Sequence, residues 1–520
     1  MTGIWGPGSP PVVMRERDVY EADVLVVGSG AGGATTAWAL ASTGARVLVV
    51  ERGDFLPREP ENRSPEAVFE QGRYHNTGSW HTADGRAFTS GGFYGVGGTT
   101  KVYGAALPRL RASDFRAVEH LDGTSPAWPF TYGDLEPYYA EAERLYRVHG
   151  AGDTDPTGPP RSTPYPWPPV PHEPVIAELA DRLTAQGLHP YPVELGVDLA
   201  PGGACERCAT CDAFPCKVGA KSDAETRALR PALRTPTVRL LTRTRVVRLR
   251  TGPDGKRVTS VDAVRDGRPV QLRAGTVVVA CGAVNSAVLL LRSGGAAHPD
   301  GLGNGSGLVG RNLMLHNNSV LMAVDPRRRN PVTFQKTLAV NDFYLPDGPH
   351  GRHPLGNLQL MGKVYEATLA AAHPRLPRRL LGALAARSVD WWVMSEDLPD
   401  PDNRVLPGPG ADGVTVRWRP TNTRTHRRLV RAAAAMMRRA GYPLVFSRQL
   451  GVEATGHQCG TTAAGTDPAR SVLDPYCRSH EVANLFVVDG GFFPSSAAVN
   501  PTLTIAAQAL RVAREGGVLP

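Results

Sequence analysis

The sequence predicts an α/β fold, α+β overall, in which a Rossmann-like nucleotide-binding domain with a βαβ unit is joined to a second, discontinuous domain. Three observations predict it. A strand, glycine turn, helix and strand follow one another from Ala22, a second strand, turn and helix occupy residues 276 to 295, and 520 residues exceed what one simple core organises.

The first of these reads ADVLVVGSGAGGATTAWALASTGARVLVVERG. Gly28, Gly30 and Gly33 have GxGxxG spacing, which permits a tight turn, close approach of a pyrophosphate to backbone N–H groups, and close packing of helix on strand. Glu51 ends the second strand 18 residues beyond Gly33, where a carboxylate can accept both hydroxyls of an adenosine ribose. Strand before, helix after and acid beyond turn a weak motif into a dinucleotide site, and leave open which dinucleotide binds. Residues 156 to 174, PTGPPRSTPYPWPPVPHEP, are too rich in proline for a helix or central strand and predict an extended surface connection within 151–175. TVRLLTRTRVVRLR at 237 to 250 alternates like a strand pair, and TVVVACGAVNSAVLLLRSGG continues the nucleotide-domain sheet. The less regular stretch from about 320 to 450 predicts a second, substrate-facing domain. It holds Trp391-Trp392, read as packing ahead of a sugar-stacking pair, and a helix HRRLVRAAAAMMRRAG closed by Gly441. Its arginines read as a solvated face, and the basic stretch 373 to 388 as at most a docking or lid element.

Composition narrows the class. Hydrophobic residues at 41% and charged residues at 21% are ordinary for a globular chain, and no run approaches the roughly 18 apolar residues of a membrane span. A net charge of +9 spread along the chain gives no basic arm, which argues against nucleic acid. The N-terminal MTGIWGPGSPPVVMRERD lacks the pattern of a secretory signal, so a cytoplasmic location is the expectation.

Later motifs add a specific likeness. GVGGTTKVYGAALPR at 95 to 109, ACGAVNSAVLLLRSG, VGRNLMLHN at 309 to 317, GHQCGTT, and VVDGGFFPSSAAVNPTLTIAAQALRVA occur in order after the βαβ unit. Together they resemble the glucose-methanol-choline (GMC) family of FAD-dependent oxidoreductases over nearly the whole chain. The resemblance implies an FAD-binding domain over 18–320, a substrate-binding domain with a mainly antiparallel sheet over 321–450, and a return to the FAD domain over 451–520. It implies FAD at Gly28, Gly30, Gly33 and Glu51, with Val246 at the adenine, Gly97, Gly98 and Thr99 in the loop passing the flavin, and Asp489 beside the ribityl chain. Val102 stands where members with covalent FAD carry a histidine, so noncovalent FAD is expected.

The implied chemistry is oxidation of an alcohol to an aldehyde or ketone, with hydride passing to flavin N5 and a base taking the hydroxyl proton. His457 of GHQCGTT matches the family's base and Asn500 of VNPTLT its partner. A lone histidine in a glycine-rich loop is more often a satisfied polar group, and Asn500 before Pro501 also suits a helix N-cap; the flanking motifs favour the catalytic reading. His316 and His480 lie in turns and read as structural or surface residues, and Cys459 as packing. The expected substrate is a polar hydroxylated small molecule such as a sugar, aminocyclitol or natural-product alcohol. The acceptor is O2, a quinone or a redox protein. A redox-neutral flavoprotein lyase and a non-catalytic flavin-binding electron-transfer partner are the alternatives, and an NAD-dependent dehydrogenase is least favoured.

CERCATCDAFPC, within the loop 201–223, sets Cys205, Cys208, Cys211 and Cys216 at C-x2-C-x2-C-x4-C, close to a ferredoxin run but one residue longer. Three readings stand: metal ligands for an iron-sulfur cluster or a zinc, two disulfides, or free thiols packed in a loop.

Overall fold

A computed structural model describes residues 19–346, 351–453 and 456–519, and the backbone of a short antiparallel pair, Gly3–Ile4 with Val12–Val13. The βαβ unit comprises β1 (Val19–Val27), α1 (Ala31–Leu40) and β2 (Val47–Val50), with β1 and β2 parallel and Val24 opposite Val47. All four residues of β2 are buried, as expected of a strand covered on both faces. Glycine is required at Gly33, where a Cβ would fall 2.0 Å from the carbonyl oxygen of Gly28.

The first sheet has seven strands. Val238–Leu241, β2, β1 and Arg268–Val279 lie side by side in that order, all parallel. Arg268–Val279 then forks. Its first half pairs antiparallel with Val258–Arg265, which pairs in turn with Thr244–Thr251, while its second half pairs parallel with Leu485–Val487. The strands 238–241 and 244–251 do not pair with each other, contrary to the alternation that suggests it. Arg243 sits in the left-handed region at φ +51°, and the N–H groups of Arg243 and Thr244 bond to the carbonyls of Gly53 and Glu51. The chain therefore crosses the end of β2 and enters the sheet at its far edge.

The second sheet has six strands, all antiparallel, in the order Pro190–Pro192, Leu338–Val340, Asn357–Leu360, Ser388–Ser395, Asn317–Val324, Leu444–Gln449. Pro190–Pro192 and the helix Pro174–Thr184 come from within the 18–320 segment, so this sheet draws on both sides of the chain. The helix Thr423–Arg439 covers one face with Leu429, Ala433, Met436 and Met437, and ends before Gly441 at φ +93°. Strand alternation sends Trp391, 1% exposed, into that core and Trp392 to the opposite face. Residues 151–173 form no helix or strand. Among the described residues no helix is long and apolar enough to cross a membrane.

Candidate active site

A cavity of about 670 Å³ runs from the glycine turn of the first sheet to the open face of the second. At the first end, Gly28 at φ +100° turns the chain so that Ser29, Gly30 and the start of α1 line the cavity. A side chain at Gly30 would project into open space, with Gly98 Cα the nearest atom at 4.0 Å. That leaves backbone N–H groups at a helix N-terminus accessible to a pyrophosphate, and the cradle fits a dinucleotide. Glu51 is buried beside it. The N–H and hydroxyl of Ser29 donate to Glu51 Oε2 at 3.1 and 2.7 Å, and Gly53 N–H donates to Oε1 at 3.1 Å. Burial pushes its carboxyl up, and these bonds oppose the rise. Val246 lines the same end.

Midway, Gly97 and Gly98 take positive φ and open a tight 3-10 turn, Gly98–Lys101, that brings Thr99 and Val102 to the wall. Lys101 Nζ anchors the turn on buried Asp223 and Glu225 at 2.9 and 2.7 Å. Asp489 reaches the wall as a brace between loops. Its Oδ2 accepts from Gly282 N–H at 3.0 Å and from the Ser286 hydroxyl, and its Oδ1 accepts from Gly491 N–H at 2.9 Å. Gly33 and Gly97 shape the wall from behind.

At the far end, Asn500 Nδ2 lies 3.4 Å from His457 Nε2, and His316 Nδ1 lies 3.1 Å from His457 Nδ1. Asn500 Oδ1 accepts from Gln359 Nε2 at 3.3 Å. The helix Thr502–Glu515 is capped by Pro501 without a side-chain bond, so the Asn500 amide serves the histidine and Gln359 instead of the helix. Burial pushes His457 down to about 3, and the neighbouring His316 and Lys336 add to the shift, so its imidazole is neutral through the physiological range.

Above His457 stand residues of the second sheet and its loops: Asn318, Val320, Lys336, Met361, Lys363 and Trp392. Lys336 Nζ pairs with Asp212 Oδ1 at 2.6 Å, and Gly362 N–H donates to Asp212 Oδ2 at 2.6 Å. The pair occupies the space over Gly104, where a Cβ would lie 1.5 Å from Asp212 Oδ1 and 2.2 Å from Lys336 Nζ. His316, Lys336, Asp212 and Gln359 are the site residues that sequence reasoning passed over, His316 having been read as a turn residue.

The four cysteines of this loop lie close together: besides burial, Cys216 and Cys208 help push Cys205 up, and Cys208 and Cys205 help push Cys211 up. Among the described residues no three or more His, Cys, Asp or Glu side chains are arranged to hold a metal ion, and all seven cysteines are unpaired. Burial pushes Cys211 up to about 12, and Cys205 and Cys211 pack against an apolar cluster. What holds the loop is Lys221, fully buried, whose Nζ donates to the carbonyls of Tyr103, Cys211 and Phe214 at 2.7 Å each. The loop so fixed delivers Asp212 and Ala213 to the cavity.

Known proteins share this chain's sequence family and its fold. GMC oxidoreductase family models match residues 172–318 and 411–509, and an FAD dependent oxidoreductase model matches 23–147. The 6'''-hydroxyparomomycin C oxidase of Streptomyces lividus is 35% identical, the alignment covering 95% of this chain and 90% of the relative. The 2-methyl-1,2-propanediol dehydrogenase of Mycolicibacterium austroafricanum is 30% identical, with 94% of each chain covered. The crystal structure of pyridoxine 4-oxidase from Mesorbium loti superposes with a TM-score of 0.66 at 21% identity, covering 95% of this chain and 98% of that one, a likeness of fold.

Proposed function

The chain belongs to the GMC oxidoreductase family and is an FAD-dependent oxidoreductase of alcohol groups, and from that premise we propose that His457 is its base, Asn500 the partner that holds the substrate oxygen, and a neutral polyhydroxylated molecule its substrate. The observation that carries the reading is the apposition of His457 and Asn500, 3.4 Å apart, in the same cavity as the dinucleotide turn.

Gly28, Gly30, Glu51, Gly98, Thr99, Val246 and Asp489 line the cavity and would hold FAD, which would supply the hydride acceptor. The protein's share is the proton. His457 Nε2 faces the cavity as a neutral imidazole nitrogen and takes the proton of the substrate hydroxyl as negative charge builds on oxygen. Asn500 Nδ2 donates toward that position and stabilises the alkoxide character, its amide kept in orientation by Gln359. Val102 offers no nucleophile for attachment, which supports noncovalent FAD.

Charge at the far end supports the substrate class. The carboxylates lining the cavity are Glu51, Asp412, Asp489 and Asp212. The first and third serve the dinucleotide end, and Asp212 is occupied by Lys336, while Lys363 adds a second ammonium nearby. Asp412 pairs with Arg52 at 3.4 Å, so among the described residues lining the cavity a polyamine would meet cations with no free carboxylate beside His457, whereas sugar-like hydroxyls find ammonium, amide and indole partners. The decisive experiment is anaerobic mixing of the flavin-loaded protein with a panel of sugars and cyclitols. Alcohol-driven bleaching of the flavin is expected, with His457→Ala slowed about 10²- to 10⁴-fold at unchanged flavin content. Bleaching at the parent rate in that variant would remove His457 as base.

A further inference from the structure

The hydrogen bonds around His457 run in one direction, and we infer that His316 is a positioning residue that locks His457 in the tautomer with Nδ1–H and a bare Nε2. The inference rests on the reading of His457 as base and adds to it which nitrogen acts and what selects it.

Backbone register brings the two rings together. Met314 and Cys459 form an antiparallel bridge, exchanging N–H···O bonds of 3.0 and 2.9 Å. His316 lies two residues beyond Met314 and His457 two before Cys459, so they stand opposite each other across the same ladder. The rings meet edge to face with centroids 5.1 Å apart. His316 itself has φ +61°, an uncommon conformation for a residue with a side chain, held at the site by these backbone bonds.

The proton positions follow from chemistry. His316 Nε2 lies 2.8 Å from the carbonyl oxygen of Ser496, which only accepts, so Nε2 carries hydrogen. Burial keeps His316 neutral, lowering its pKa against the pull of the Ser496 carbonyl and of Glu396, so its Nδ1 is a lone pair. At 3.1 Å from that lone pair, His457 Nδ1 must donate. His457 Nε2 is then the free acceptor, toward which Asn500 Nδ2 points. The series reads Gln359 Nε2–H to Asn500, Asn500 Nδ2–H to His457, His457 Nδ1–H to His316, His316 Nε2–H to Ser496. The other tautomer of His457 would set two lone pairs against each other. The charges facing the pair are Lys336 on the His457 side and Glu396 on the His316 side.

The test is nitrogen NMR of the flavin-loaded protein labelled with 15N-histidine, the His457 signals assigned by their loss in His457→Ala. The parent is expected to show a protonated Nδ1 and an unprotonated Nε2 at His457. His316→Leu removes the acceptor and is expected to give a mixed or reversed tautomer and about 10²-fold slower anaerobic flavin reduction, with flavin content retained. His316→Asn places an amide oxygen where Nδ1 stands, suits the left-handed backbone, and is expected to restore the Nδ1–H tautomer and most of the rate. A His457 that keeps Nδ1–H in His316→Leu, or carries its proton on Nε2 in the parent, would overturn the inference. Failure of the base assignment is distinct, since it would appear as an active His457→Ala whatever the tautomer.

Discussion

Replacing Lys336 by Met tests whether the cysteine-rich loop is clamped to the substrate sheet by charge. The ammonium and the Asp212 carboxylate are 2.6 Å apart, with side chains 3% and 10% exposed. Burial raises the Asp212 carboxyl, and the charge and hydrogen bond of Lys336 outweigh that, holding it below its ordinary range. Without Lys336 the carboxylate keeps the Gly362 N–H and the more distant charge of Lys221. Removing one partner of a buried pair costs about 3–5 kcal/mol. With an unfolding entropy of about 2.1 cal/mol/K per residue, a chain of 520 residues shifts its Tm by about 1 °C per kcal/mol, so a fall of about 3–5 °C is expected. Adding Asp212→Asn removes the stranded charge and keeps an acceptor for Gly362, so the double variant should regain about half the loss or more. Flavin-fluorescence melting reads both. Lys336 also depresses His457, so in Lys336→Met the pKa of His457 rises and, with His457 as the proposed base, the acid limb of the flavin-reduction profile moves to higher pH. The sign is fixed: protonated His457 has no lone pair, so rate is lost as pH falls through its pKa, about 3 in the parent. A Lys336→Met variant within 1 °C of the parent, or a double variant no better than the single, would refute the clamp.

Gly104→Ala is expected to expel the same pair, because its Cβ would stand 1.5 Å from Asp212 Oδ1; its stability loss should shrink in the Lys336→Met/Asp212→Asn background, and equal losses in both would count against it. Acid precipitation should release all the flavin into the supernatant, as Val102 has no attaching nitrogen, and yellow pellets would contradict this. Chelators should leave Tm and rate unchanged, and iron, sulfide or zinc in stoichiometric amounts would reverse the reading of the four cysteines as packed thiols.

What was legible in the sequence was local. Gly28, Gly30, Gly33 and Glu51 are placed by one turn between two adjacent strands, and their spacing carries the geometry. His457 and Asn500 were legible through flanking motifs, though nothing near either states that they touch. Lys336, Asp212, His316 and Gln359 were not legible, because each reaches the cavity through a strand or loop whose partner lies 120 or more residues away in sequence. The cysteine run is the opposite case. Its spacing is a strong local signal, yet the loop is governed by Lys221 beyond the run and by Asp212 inside it, neither of which the spacing concerns. The strands of TVRLLTRTRVVRLR were misread for a similar reason, since pattern reports strands and left the crossover at Arg243 unseen.

The two ends of the cavity answer to different sheets, and this separates what can vary from what cannot. The dinucleotide end is made of turns at the ends of parallel strands, where a Cβ at Gly33 meets backbone at 2.0 Å and nothing can yield. The substrate end is made from the antiparallel sheet: His316 just before Asn317–Val324, Lys336 just before Leu338–Val340, Met361 and Lys363 just after Asn357–Leu360, Trp392 within Ser388–Ser395, His457 beyond Leu444–Gln449. Residues on the cavity face of these strands alternate with core residues, so Trp392 can be exchanged while Trp391 is fixed by the packing of Leu429 and Met436 behind it. A one-residue slip of Ser388–Ser395 would exchange the two tryptophans between core and cavity. His316, which meets His457, directly precedes Asn317, which pairs with Ser395 of the strand that carries both tryptophans. Substitutions that change side chains on that wall can alter which alcohol enters, whereas a change in the pairing of Asn317–Val324 would also move His316 and its contact with His457.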